Sequence, residues 1–149
     1  MESGRGHDQG WTQPRLDQLA GTTKGTMDMQ THDPHLMTAE RAVTEEQDWG
    51  RLVWMVSGRQ GNSTEMTVGR CYIAPGQENP RHYHPNCDEV LHVLQGRIDH
   101  RLGGETVPMG PGDTISIPTG TVHNARNTGA EPAVLMIAFS TPDRQVVGE

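Results

Sequence analysis

The chain has 149 residues, a formal charge of −7, an apolar fraction of 32% and 18 glycines, which reads as one domain of short strands and tight turns. The negative charge argues against nucleic acid or an anionic membrane surface as partners, and no stretch is long and apolar enough to span a bilayer. Two cysteines, Cys71 and Cys87, do not make a disulfide framework; with no apolar signal core at Met1–Asp8, the expected compartment is the cytoplasm.

In chain order, residues 1–45 are polar without a sustained period and read as an N-terminal arm. Its start, Met1 to Gly10, is expected to be disordered, Trp11 to Met37 extended, and Thr38–Glu46 a short helix. The main domain is expected over 46–142, with a polar tail at 143–149. Strands are expected at Arg51–Val56, at Glu65–Ala74 with its alternating pattern, at Asp88–Leu94 and at Arg97–Leu102. Gly103-Gly104 signals a hairpin into Glu105–Met109, and Asp113–Ile117, Val122–Arg126 and Ala133–Ser140 complete the set. No internal repeat is evident, so one such unit is expected.

Chemistry concentrates in His82, His84, Glu89 and His123. Side chains alternate along a strand, so His82 and His84 share a face and Tyr83 takes the other. Glu89 is an odd number of residues from His84 and needs a break in register, which the turn-prone Pro85-Asn86-Cys87-Asp88 supplies. His123 follows a second turn-bearing approach, Pro118-Thr119-Gly120-Thr121-Val122. A nitrogen and oxygen donor set suits one divalent transition metal, Fe, Mn, Ni, Cu or Zn, and the lack of a thiolate pair argues against a closed structural zinc site. Glu89 either stays a ligand or acts as a catalytic base. No Ser/His/Asp arrangement, P-loop or dinucleotide fingerprint is present.

Two segments, Gly76-x5-His82-x-His84-x4-Glu89-x6-Gly96 and Gly112-x5-Pro118-x-Gly120-x2-His123-x3-Asn127, resemble the paired motifs of the cupin superfamily at every signature position. The resemblance covers 76–127. It implies an all-β fold, a cupin-type jelly-roll β-barrel in a single domain with an N-terminal arm. It carries over His82, His84, Glu89 and His123 as metal ligands, and it implies a homodimer with arms packed on the neighbouring subunit. The superfamily holds oxygenases, isomerases, decarboxylases, lyases and non-catalytic binders, so the fold does not fix the reaction. The expected function is a metal-dependent enzyme acting on a small organic substrate, foremost a dioxygenase-type oxidoreductase. The alternatives are a non-redox isomerase, decarboxylase or lyase, and a non-catalytic small-molecule binder.

Other residues have plainer readings. His92 alternates away from Glu89, and His100 lies among Arg97, Asp99 and Arg101 on what reads as a solvated or interface face. His7, His32 and His35 lie in the arm. Tyr83 packs outward, Arg81 belongs to a solvated loop and Cys87 is a small buried thiol. Trp49, Trp54, Met55, Met66, Met109, Met136 and Phe139 are core or interface candidates. Gly76, Gly96, Gly112 and Gly120 are backbone devices, and Asn127 ties down a loop.

Overall fold

The computed structural model describes residues 35–149. The expected disordered start, most of the extended arm, His7 and His32 lie outside the described residues. Those residues form two antiparallel sheets and no helix. One sheet carries β1 (Val43–Gln47), β2 (Gly50–Val56), β3 (Thr67–Ile73), β10 (Ala133–Phe139), β5 (Glu89–Gln95) and β8 (Thr114–Ile117), side by side in that order. The other carries β11 (Val147–Gly148), β4 (His82–Tyr83), β9 (His123–Asn127), β6 (Ile98–Leu102) and β7 (Glu105–Met109). All pairings are antiparallel, as in the expected jelly roll.

Alternation decides which side chains fill the space between the sheets. On β3 every second residue from Thr67 is buried, ending in Cys71 and Ile73, and on β10 Ala133, Leu135, Ile137 and Phe139 do the same. Glu89, Leu91 and Val93 point inward from β5 while Val90 and Leu94 remain exposed. Among the aromatic and sulfur candidates, Trp54, Met109 and Phe139 join this core and Trp49 packs against it, but Met66 is 45% exposed because it precedes β3 and faces solvent.

Two expectations are corrected. The helix over Thr38–Glu46 is not formed: the Thr38 carbonyl accepts from the amides of Arg41 and Ala42 at 3.1 Å, which makes one turn. Val43–Gln47 then pairs with β2, Val43 opposite Trp54 and Gln47 opposite Gly50. A full ladder to a neighbouring strand satisfies more backbone groups than a short exposed helix, and the modest helix preference of Ala and Glu is overridden. The charged strand at His100 is the second. Ile98 and His100 share its inner face, so His100 is wholly buried while Asp99 and Arg101 carry the polar side. The polar segment 143–149 returns along the barrel mouth as β11, with Val147 opposite Tyr83 and Gly148 opposite His82.

Candidate metal centre

His82 and His123 sit directly opposite one another on β4 and β9. His84 follows two residues after His82, just past the end of β4, and is buried. The odd spacing to Glu89 is resolved by a change of sheet: β4 belongs to one sheet and β5 to the other, so Pro85–Asp88 carries the chain across the mouth of the barrel. Each of the four side chains thus points into the space between the sheets. The crossing is pinned to the second motif, since Asp88 Oδ1 accepts from the Thr119 amide (2.8 Å) and hydroxyl (2.7 Å) and the Gly120 amide donates to the His84 carbonyl (2.8 Å). Gly120 makes this turn at φ +78°, a left-handed conformation that a side chain resists.

One ligand atom from each of His82, His84, Glu89 and His123 lies within 4.8 Å of the others. The outer nitrogen of every imidazole is committed to a backbone carbonyl. Nδ1 of His82 donates to Pro80 (2.7 Å), Nδ1 of His84 to Gln145 (2.6 Å) and Nδ1 of His123 to Thr121 (2.8 Å). A ring with its proton on Nδ1 turns a lone pair inward at Nε2, the tautomer that metal-binding histidines use. Inside the cluster Glu89 Oε2 lies 2.9 Å from His123 Nε2 and 3.1 Å from His84 Nε2. The first contact is a hydrogen bond, whereas the second has no hydrogen-bond geometry and leaves His84 Nε2 buried without a partner. Two imidazole nitrogens and a carboxylate oxygen at this spacing need positive charge between them.

The titration behaviour follows from the same contacts. Burial pushes the Glu89 carboxyl up, but the hydrogen bond from His123 and the close contact and charge of His84 outweigh it and hold the group well below the usual range. Burial pulls His123 down, and its hydrogen bond to Glu89 overcomes this and raises it. Burial takes His82 down to about 4, against the pull of the Pro80 carbonyl. The opposite shifts of Glu89 and His123 both arise from the contact between them, and a cation bound there would compete with a proton on His123.

The residues fit a metal on these grounds: an inward-facing Nε2 on each ring, orphaned on His84, and a carboxylate already ionised. Ligand bonds of about 2.0–2.2 Å allow donors roughly 3–4.4 Å apart around one ion, close to the span seen here. A cavity of about 330 Å³ opens beside the cluster, with His82, His84, Glu89 and His123 on its wall.

The sequence singled out these four, and the structure brings them together. His92 lies apart, bonded through Nδ1 to the Thr114 hydroxyl (2.7 Å). His35 is not a member of the cluster. Cys87 is a buried free thiol, and Arg81 is paired with Glu149. Two cavity residues escaped the sequence reading. His100 stacks on His123, with ring centroids 5.9 Å apart and planes at 20°. The alternation of Ile98, His100 and Leu102 carried that signal. Arg144 lines the cavity from the C-terminal segment, and nothing local in the sequence marks it.

Comparison with known proteins agrees with this architecture. The family described as Cupin domain matches residues 69–139, which include all four cluster residues. Germin-like protein 4-1 of Oryza sativa subsp. japonica is 34% identical over 96 residues, covering 58% of this chain and 38% of that protein. The chain therefore spans less than half the length of the germin-like relatives it matches. Polyketide synthase CurC of Streptomyces cyaneus is 33% identical over 107 residues, 72% of this chain and 70% of that protein. Among solved structures, oxalate decarboxylase of Lactobacillus farciminis in a formate complex aligns with TM-score 0.69 at 21% identity, over 73% of this chain and 34% of that one. Another similar structure is a Bacillus subtilis oxalate decarboxylase described by its Mn(II) centres, with TM-score 0.65 and 22% identity, over 70% of this chain and 29% of that one. Those two likenesses establish the fold. Since the matched domain brackets the crossing from β4 to β5 and the strand that carries His123, and CurC is 33% identical over 70% of its own length, the chain belongs to the cupin superfamily.

Proposed function

We propose that this chain is a metal-dependent enzyme acting on a small organic substrate, with His82, His84, Glu89 and His123 holding one divalent transition metal. The observation that carries the reading is the set of three Nδ1–H groups bound to the carbonyls of Pro80, Gln145 and Thr121, which turns the Nε2 edge of all three rings inward as metal-binding histidines require. A bound cation there would supply Lewis acidity toward an oxygen of the substrate and, with a redox-active metal, access to dioxygen chemistry. Glu89 uses Oε2 toward both His84 and His123, while its Oε1 makes no hydrogen bond among the described residues. That oxygen is the atom through which Glu89 would act as a base, a weak one while His123 and His84 hold its carboxyl below the usual range. The apolar part of the wall lowers the local dielectric and strengthens the charge interactions at the cluster.

The mixed nitrogen and oxygen donors support a dioxygenase-type oxidation as the first reading. A non-redox decarboxylase, isomerase or lyase is the second, favoured by the likeness to oxalate decarboxylases. A reducing compartment such as the cytoplasm suits the free thiols of Cys71 and Cys87; no helix of the described residues is long and apolar enough to cross a membrane. A homodimer is retained as the proposed assembly, to be checked by sedimentation.

Metal analysis of the purified chain and of His84→Ala tests the centre. Wild type should carry close to one divalent metal per chain, and the variant should lose it while keeping its β-sheet circular dichroism. Unchanged metal in the variant would refute the ligand set. Oxygen uptake over a panel of enols and catechols then divides the two reaction classes: turnover without uptake selects the non-redox one.

A further inference from the structure

The cavity holds a cation that the cluster does not use. Arg144 lies on the segment between β10 and β11, and its guanidinium carbon sits 4.3 Å above the Trp54 ring and 5.3 Å from the centroid of Phe139. Phe139 also meets His84 edge-on, with centroids 4.9 Å apart, so Arg144 and a cluster imidazole flank the same ring. Arg144 makes no ion pair or hydrogen bond among the described residues, while the other arginine on the cavity wall, Arg81, is bound to Glu149. Burial disfavours the Arg144 charge, and the fields of Glu89 and Glu45 favour it from a distance. The guanidinium sits over the indole, and none of its N–H donors has a partner among the described residues. That planar fork is the geometry that grips a carboxylate through two parallel bonds.

A second orphan lines the same cavity. His100 is 0% exposed, and both its ring nitrogens lack a partner. Buried polar groups in folded proteins are nearly always bonded, so a neutral imidazole with a spare donor and a spare acceptor points to a polar group of a ligand. Much of the remaining wall is apolar, with Leu52, Leu91, Leu135 and Ile137 on it beside Glu45 and Gln47. One free cation, one free imidazole and an oily wall describe a molecule with a single charge and an apolar body. A small dianion would leave that wall uncovered and, apart from a bound metal, would find no second unpaired cation on the wall of this cavity, since Arg81 is bound to Glu149.

We propose that the cavity takes an organic monocarboxylate, its head on the Arg144 guanidinium and its apolar body against the wall, with a further polar group reaching His100. This deepens the function proposed above and rests on it for the chemistry that follows binding, though the anion grip itself needs no metal. The C-terminal segment is then part of the substrate site, and Arg144 is its specificity residue.

The test uses the full chain as purified and after dialysis against EDTA. Benzoate and hexanoate are compared with benzamide and hexanamide, neutral molecules of the same shape, by calorimetry and by tryptophan emission, which Trp54 beneath Arg144 should report. Wild type should bind at least one acid tenfold or more tighter than its amide. Arg144→Met keeps a long apolar side chain over Trp54 and should bring that ratio within twofold; Arg144→Lys keeps charge without the fork and should fall between. Bound metal per chain should not change in either variant. Equal binding of acids and amides by the wild type, or an acid preference that survives in Arg144→Met, overturns the inference. An Arg144-dependent acid preference in a chain that never holds metal would keep the anion site and sink the metal centre. A metal-loaded chain with no acid preference would do the reverse.

Discussion

Asn127 offers the sharpest test of how this fold is held together around its site. Its side chain is 0% exposed and uses three of its bonding positions. Nδ2 donates to the carbonyls of Ile73 (2.9 Å) and Glu131 (2.7 Å), and Oδ1 accepts from the Gly129 amide (2.9 Å). The residue thereby joins the end of β3 to the turn between β9 and β10. Asn127→Ala removes three hydrogen bonds at about 1 kcal/mol each and strands buried backbone groups, so a loss of about 3 kcal/mol is expected, within a range of roughly 2–5. In urea, with a slope of about 1.5 kcal/mol per M, the midpoint should fall by about 2 M. Asn127→Asp fits the same space but sets a carboxylate against two carbonyl oxygens. It should cost at least as much at pH 7 and recover part of the loss below about pH 4, where its acid form regains a donor. Equilibrium urea unfolding followed by tryptophan fluorescence measures both. A loss under 1 kcal/mol for Asn127→Ala would refute the reasoning, because it would mean that the three bonds contribute nothing net or that water replaces them freely.

Three further outcomes follow from packing and burial. Gly69→Ala would place a methyl 2.7 Å from Trp54 Cε3 and 2.9 Å from the Val53 carbonyl, so the strand pair must spread; a loss of about 1–3 kcal/mol is expected, with a shifted tryptophan emission, and an unperturbed variant would contradict the close approach. Burial, with help from Glu89 and against Arg144, pushes the Cys71 thiol up to about 12 from 9.0; since the folded value is raised, the thiol's contribution is complete below pH 9 and lost as pH climbs through 12, by up to ~4 kcal/mol. Cys71→Ala should flatten that alkaline slope in pH-dependent unfolding, and an unchanged slope would count against the assignment. His100→Leu removes a buried imidazole whose nitrogens are unpaired, so urea stability should hold or rise by about 1 kcal/mol; a clear loss would reveal a partner for His100 inside the protein.

Much of this was legible in the sequence because strand alternation is a local property. Leu91 and Val93, and Leu135 and Ile137, announce their own inner faces, and the motif spacing named the four cluster residues. Gly96 could be read as a backbone device from its motif position alone: it adopts φ +84° and a Cβ there would meet the Ala133 Cα at 2.9 Å. The misreadings have physical causes too. Val43–Gln47 is an edge strand with mostly exposed side chains, so its sequence shows no buried period, and Ala39, Glu40, Glu45 and Glu46 favour a helix. The charged neighbours of His100 suggest a solvated face, although Ile98 two residues before it marks the inner one. Arg144 belongs to a segment whose structure comes only from distant partners, β4 above all, and no local pattern reports a distant partner.

That last segment changes how the site should be understood. The Gln145 carbonyl fixes the tautomer of His84, Asn86 holds the backbone at both Asp143 (2.9 Å) and Gln145 (3.0 Å), and β11 pairs with the strand that carries His82. One short strand of chain therefore orients two cluster imidazoles from outside and presents Arg144 from inside. These tasks use different atoms: backbone groups set the imidazoles, and a side chain faces the cavity. Backbone contacts tolerate changes of side chain, so residue 144 can vary without disturbing the Nε2 lone pairs, whereas removing the segment strips His84 of its Nδ1 acceptor. Truncation after Thr141 should consequently weaken metal retention and abolish acid selectivity together, while substitution at Arg144 should touch selectivity alone. If the truncated chain stays folded and keeps its metal as tightly as the full chain, the carbonyl of Gln145 does not govern His84 and this coupling is wrong.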